Sequence, residues 1–410
     1  MANSQFSHLS PEPLHRLSVY DGLMLNAERW LIAHDYHRRR QNLHYQALHL
    51  PGIVYGLGVR VIEPPEDSSG SYRNQDRNRQ EQRWIEVQPG MAIDTEGNPI
   101  IVDADTDRTY RIAAKAPERG TRTVYIVVSY VEPDSLERKS QEMAIAERFR
   151  LDQKTTPPTQ REVELCRVVL TPGKVSLSRP QDVFAPASNQ LDFRYRCLAQ
   201  VRAQGTVNVA SLSSWSNQTA ENFEYLVRSL PALYPQLQGQ VRAEPLANEV
   251  ERLPKVPSIA HLMAYELLYL KAKDFISFEP EGLKCIQVFL SQGGVILVGL
   301  PDDDSDVEQY VQQRWQNSLK SWTDLPINHR LRTQPFVFTQ PPTLGQTVLK
   351  LLMVGGFICI KERFLDAWGI RGSYSREDTR TAHEFGINLL HFAWQRRHLN
   401  ELVQWSNSGQ

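Results

Sequence analysis

The sequence predicts two folds in series. The first is an α+β N-terminal domain, one helix followed by a small β-domain of hairpins; the second is an α/β doubly wound domain with a mostly parallel sheet. Three observations predict this. Residues 52–171 carry short β-branched strands punctuated by Pro-Gly and Gly-Asn-Pro turns, the rhythm of hairpins. Beyond about residue 206, apolar strands alternate with amphipathic helices, as parallel βαβ units do. Ahead of both lies one helical stretch dense in His, Arg and Tyr. The expected divisions are a flexible arm at 1–13, a module at 14–171, a linker at 172–205 and the α/β domain at 206–410.

The elements follow in order. Asp21-Gly22 marks a turn, Asn26 is a helix N-cap, and Pro51-Gly52 stops the helix near Leu50. IVYGLGVRVIEPP reads as one strand, and the polar residues 63–83 as a solvated hairpin excursion. WIEVQPGMAIDTEGNPIIVD, RTYRIAA, TVYIVVSYVE and EVELCRVVLT read as further strands through their turns and alternation. In the second half VNVASL, LLYLKA, VILVGLP and GGFICIKE are strands. AENFEYLVRSLPALYP, GLKCIQVFLSQGG, DSDVEQYVQQRWQNSLKSW and the terminal REDTRTAHEFGINLLHFAWQRRHL are helices.

Composition narrows the function classes. With 46 basic and 47 acidic residues the net charge is −1, so bulk attraction to nucleic acid or to an anionic membrane is not expected. Cys166, Cys197, Cys285 and Cys359 are scattered without a CxxC pair, which fits reduced thiols in the cytoplasm. The N-terminus lacks a signal pattern, and no apolar run reaches about 18 residues, so membrane association is expected only through a partner.

Motifs for chemistry are sparse. Neither GxxxxGK[ST] nor GxGxxG occurs, and Gly293-Gly294 lies between a helix and a strand, the wrong order for a phosphate loop. No nucleophile elbow follows VILVGL, and Cys285 and Cys359 read as packing residues. No catalytic residue, cofactor or metal is therefore expected. Asp302, Asp303, Asp304 and Asp306 follow a strand end, where α/β ligand sites lie, and read either as oxygen ligands or as an exposed helix N-terminus. His34, His37, His44 and His49 share the first helix without a zinc motif. Trp30, Tyr36, His37, Arg38, Arg39 and Arg40 are the candidate interface residues, because aromatics and Arg dominate interface energetics. Packing within their own domain is the alternative.

Several spaced motifs in the first half together resemble a module found beside phage-tail-like contractile injection systems. They are Asp21-Gly22, Tyr36-His37 with Arg40, Pro51-Gly52 with Gly56-Leu57, and Pro89-Gly90 with Ala92, Asp94 and Gly97. In the second half, AHLMAYELLYLKA, LKCIQVFLSQGGVILVG, GGFICIKE and AHEFGINLLHFAW resemble an uncharacterised family of glutamine-amidotransferase-like α/β domains. There the LP-x-x-H element falls on Leu325, Pro326 and His329, in a structural or a ligand role; the elbow cysteine of true amidotransferases is missing. The resemblances imply a non-catalytic structural component docked at or near a baseplate and displaying its α/β domain outward. Its partners would be proteins of the particle, in symmetric copies and without nucleic acid. The alternative is a ligand-binding or hydrolytic enzyme with a pocket near Asp302–Asp304 and His329.

Overall fold

A computed structural model describes residues 13–65, 81–131, 147–213, 217–242, 246, 258–302, 305–315 and 318–407. The chain mixes helices with several β-sheets and divides into two compact units, one ending at Arg202 and the other beginning at Ala203. All of the expected arm at 1–13 except Pro13, and most of the excursion at 63–83, lie outside the described residues.

The first unit begins its regular structure with helix α1 (Ala27–Leu48). Asn26 caps it, the side-chain oxygen accepting from the Arg29 N–H at 2.9 Å. The helix stops two residues short of Leu50, because the residue before a proline is pushed out of the α region; His49–Leu50 form the extended β1 instead. The glycine-rich stretch expected as one strand is two, β2 (Gly52–Gly56) and β3 (Val59–Ile62). Gly56 and Leu57 both hold positive φ, 66° and 55°, and this break sends the two halves into different sheets.

The strands β4 (Trp84–Val87), β5 (Gly90–Ile93), β6 (Pro99–Val102) and β7 (Thr109–Arg111) complete two three-stranded sheets, β2-β5-β6 and β3-β4-β7. A four-stranded sheet, ordered β11-β10-β8-β9, contains β8 (Arg122–Val131), β9 (Arg148–Lys154), β10 (Glu162–Leu170) and β11 (Leu191–Asp192). β12 (Gln200–Val201) pairs with β1. Alternate residues of these strands, Ile85 and Val87, Ile126 and Val128, face one apolar core. Of the stretch 172–205 expected as a linker, residues 172–202 belong to this unit. β11 pairs with β10, and the Arg196 guanidinium donates to the carbonyls of Leu57 (2.6 Å), Gly56 (2.9 Å) and Leu165 (3.1 Å).

The second unit runs β13 (Gly205–Ser211), α2 (Asn217–Leu233), β14 (Leu237–Val241), α3 (Ile259–Leu262) and β15 (Leu267–Lys271). It continues with α4 (Ala272–Ser277), α5 (Pro280–Ser291), β16 (Val295–Leu300), α6 (Ser305–Arg314) and β17 (Lys320–Ser321). After α7 (Arg330–Thr333) come the small hairpin β18 (Thr343–Leu344) and β19 (Thr347–Val348), then β20 (Leu351–Val354) and β21 (Phe357–Lys361). Helices α8 (Glu362–Asp366) and α9 (Arg376–Asn407) close it.

The sheet order is β14-β13-β15-β16-β21-β20-β17. Neighbours from β14 to β21 are parallel and the last two pairings antiparallel. Every residue of β16 is buried, as a central strand covered on both faces requires. Val295 and Leu297 join one apolar layer with Phe223 and Phe385 of α2 and α9. Ile296 and Val298 join the other with Phe275 and Phe289 of α4 and α5. The chain leaves β13 to one side for β14 and returns on the other side as β15. That reversal fixes where ligands of such sheets sit, at the carboxyl ends of the strands.

Candidate functional site

In the first unit the candidate site is α1. None of its 22 residues is buried. Trp30, Leu31, Ile32, Leu43 and Leu48 are exposed, and Val19, Tyr20, Met24 and Leu25 extend the apolar surface ahead of it. Trp30 meets the His34 ring edge-on at 5.5 Å, and Tyr36, half-buried, meets His37 at 5.3 Å. His37, Arg38, Arg39 and Arg40 are exposed, and Arg38 reaches Asp35 at 3.2 Å. The structure therefore brings all six sequence-predicted interface residues onto one solvent-facing helix.

The C-terminal half of α1 rests on the turn between β5 and β6, and the strands behind that turn pack closely. Gly56 and Gly90 are register partners, and a Cβ on Gly56 would fall 2.2 Å from the Pro89 carbonyl, so the two Pro-Gly motifs pack backbone on backbone. The Asp94 carboxylate, almost fully buried, accepts from the N–H groups of Glu96 (2.9 Å) and Asn98 (2.8 Å) and from the Asn98 amide (2.9 Å). Burial lifts its pKa above the usual carboxylate value, and the Asn98 and Glu96 hydrogen bonds draw it partly back. This Asx turn presents Gly97 at φ 80°, where a Cβ would lie 2.4 Å from the Asn42 carbonyl of α1. Gln46 donates to the Glu96 carbonyl at 2.6 Å. Further up, a groove of about 540 Å³ stays open between the helix and the β5–β6 hairpin, with Leu31 and Arg38 on one wall and Ile101 and Tyr130 on the other.

In the second unit the candidate site is the carboxyl end of the sheet. Tyr269 of β15 donates to Glu362 at 3.2 Å, and Asn222 of α2 donates to Asp366 at 3.1 Å. Burial lifts the Glu362 carboxyl above its usual range; the Tyr269 hydrogen bond and Lys271 oppose this, and Asp302 and Asp366 add to it. Asp366 is lifted in the same way, by burial first and by Asp302 as well. Burial also pushes the Tyr269 phenol up. Next to this cluster a smaller cavity opens between the ends of β16 and β21 and the β18–β19 hairpin.

Asp302 lies at that cavity, exposed, and acts electrostatically on Glu362 and Asp366. Asp303 and Asp304 lie outside the described residues. His329 is elsewhere: it caps α7, its ring accepting from the Leu331 N–H at 3.3 Å and lying 5.7 Å from Phe392. That stretch of α9 packs where the strands begin, with Trp394 against Gly205. Burial and the Arg332 charge lower the His329 pKa. Among the described residues no group of three or more His, Cys, Asp or Glu is arranged to hold a metal ion, and no helix is long and apolar enough to cross a membrane.

Sequence reasoning missed Tyr269, Glu362 and Asp366. The available signals were the tyrosine set among leucines in LLYL and the glutamate directly after GGFICIK. The chain matches no protein-family model, no curated protein and no solved structure.

Proposed function

We propose that this chain is a non-catalytic structural component of a contractile injection assembly, docking at or near the baseplate through α1 and displaying its α/β unit. The observation that carries the reading is a 22-residue helix without a buried residue, fixed to a rigid β unit by backbone-level contacts. A helix of this kind gains little from its own fold, since helical stability in proteins comes mostly from packing one face. Exposed apolar side chains clustered on one element mark an interaction surface. Arginines beside them suit an acidic protein partner and add orientation and association rate. Two residues of the spaced motifs that resemble the injection-system module, Asp94 and Gly97, form the turn on which the helix rests. Repetition of one rigid docking surface is what a symmetric particle needs from each copy.

The test is recovery of particles by the tagged full-length chain from lysate, scored by electron microscopy for sheathed tubes. Leu31→Asp with Arg39→Glu and Arg40→Glu should abolish recovery while leaving the circular dichroism spectrum unchanged. Equal recovery by this variant sinks the assignment.

A further inference from the structure

We propose that the cavity at the carboxyl ends of β16 and β21 binds a small organic anion, a carboxylate or a phosphate monoester with an apolar body. The cavity holds about 280 Å³, just under the roughly 300 Å³ at which ligand sites begin and enough for a one-ring anion. It lies at the carboxyl end of the sheet, the end at which open α/β sheets take their ligands, beside β16 and β21 and not in the β13–β15 crevice where the strand order reverses. The inference concerns the second unit alone and does not rest on the docking of α1.

The charges around the cavity do not cancel among the described residues. Lys350 and Lys361 share one buried carboxylate, Glu308, at 2.6 and 3.4 Å. Lys361 is further fixed by donating to the Pro301 carbonyl at 2.8 Å. Two ammonium groups on one carboxylate leave an excess positive charge. Arg363 adds a second, because its guanidinium makes no ion pair or hydrogen bond among the described residues while lining the same cavity, and Asp302 offsets one of the two, leaving one in excess. A planar guanidinium with free donors recognises carboxylate and phosphate oxygens in pairs. Asp302, also at the cavity, sets the limit: it repels a polyanion and accepts a hydrogen bond from a hydroxyl or ammonium group on the ligand. Leu344, Val348 and Phe364 supply the apolar wall, and Val348 is 55% exposed, leaving surface for a ligand to cover.

Isothermal titration of the full-length chain with phenyl phosphate, benzoate, inorganic phosphate, pyrophosphate and benzyl alcohol tests this. Saturable binding of phenyl phosphate or benzoate is expected, and whichever binds tighter identifies the head group. Benzyl alcohol and inorganic phosphate should each bind about tenfold more weakly or worse, for lack of the charge or of the apolar body. Arg363→Gln should weaken binding about tenfold, the loss of a hydrogen bond to a charged group. Val348→Glu should abolish it, and Asp302→Asn should admit pyrophosphate. All three positions are exposed, and Arg363→Gln alone suffices if Val348→Glu fails to fold. The proposal is overturned if neither aromatic anion saturates, if benzyl alcohol binds as tightly as they do, or if Arg363→Gln binds like the parent chain.

Discussion

Glu308 is the residue on which the second unit's charge balance turns, and replacing it with Gln should cost about 2 kcal/mol of stability, below the range for breaking a fully buried ion pair. Its side chain is 9% exposed, and it answers two lysines of very different character. Lys350, whose side chain is 56% exposed, behaves as a surface pair worth about 0–1 kcal/mol. Lys361 is only 21% exposed; breaking a fully buried pair costs about 3–5 kcal/mol, and this one is discounted because Lys361 keeps the Pro301 carbonyl. Urea unfolding followed by tryptophan fluorescence suits the test, since six of the eight tryptophans lie beyond Ala203. At a slope of about 2 kcal/mol per molar urea, the Glu308→Gln midpoint should fall by about 1 M. Lys350→Gln should move it by half of that or less, and adding Lys361→Met to Glu308→Gln should restore most of the loss. A Glu308→Gln midpoint within about 0.2 M of the parent, or an equal loss from Lys350→Gln, would refute the reasoning.

Three more outcomes are expected. Gly97→Ala, at positive φ and with its Cβ against the Asn42 carbonyl, should cost about 1–3 kcal/mol and speed amide exchange in the C-terminal half of α1; unchanged exchange would separate the turn from the helix. Glu362→Gln should stabilise the chain at pH 7 and lose that advantage near pH 4. A carboxyl raised in the folded state binds more protons there than when unfolded, so its penalty appears as pH rises past the unfolded value toward the folded one; a gain constant across pH would contradict this. Of the thiols, exposed Cys197 should react with a disulfide reagent at pH 7. Cys166 and Cys359, buried and with their thiols pushed up by burial, should react only after unfolding, as peptide mapping of the labelled sites would show.

The elements that could be read from the sequence were those whose local chemistry and packing agree. Asn26 predicts its own cap, and VILVGL predicts a strand buried on both faces because nothing in it tolerates water. The strands β9, β14 and β20 escaped. RFRLDQK and LQGQV are edge strands, whose one solvated side permits polar residues, and LLMV has no alternation to separate it from a helix. The helix α1 was legible as an element but not as an unpacked one. A broad aromatic face reads the same whether it meets its own sheet or solvent, and only the seat at Asn42 and Gln46 decides between them. The strand-end cluster was illegible for another reason. Tyr269, Asp302 and Glu362 are brought together by parallel pairing across β15, β16 and β21, and their separation along the chain carries no trace of that.

The central claim, docking through α1, is tested most directly by placing a photo-activated cross-linking amino acid at Leu31 and, separately, at Ile370. Both positions are exposed, the first on α1 and the second in the α/β unit. Irradiation of assembled particles should join position 31 to one defined baseplate protein, identified by mass spectrometry, and leave position 370 unjoined to that protein. Cross-links from position 370 alone, with none from position 31, would contradict the account.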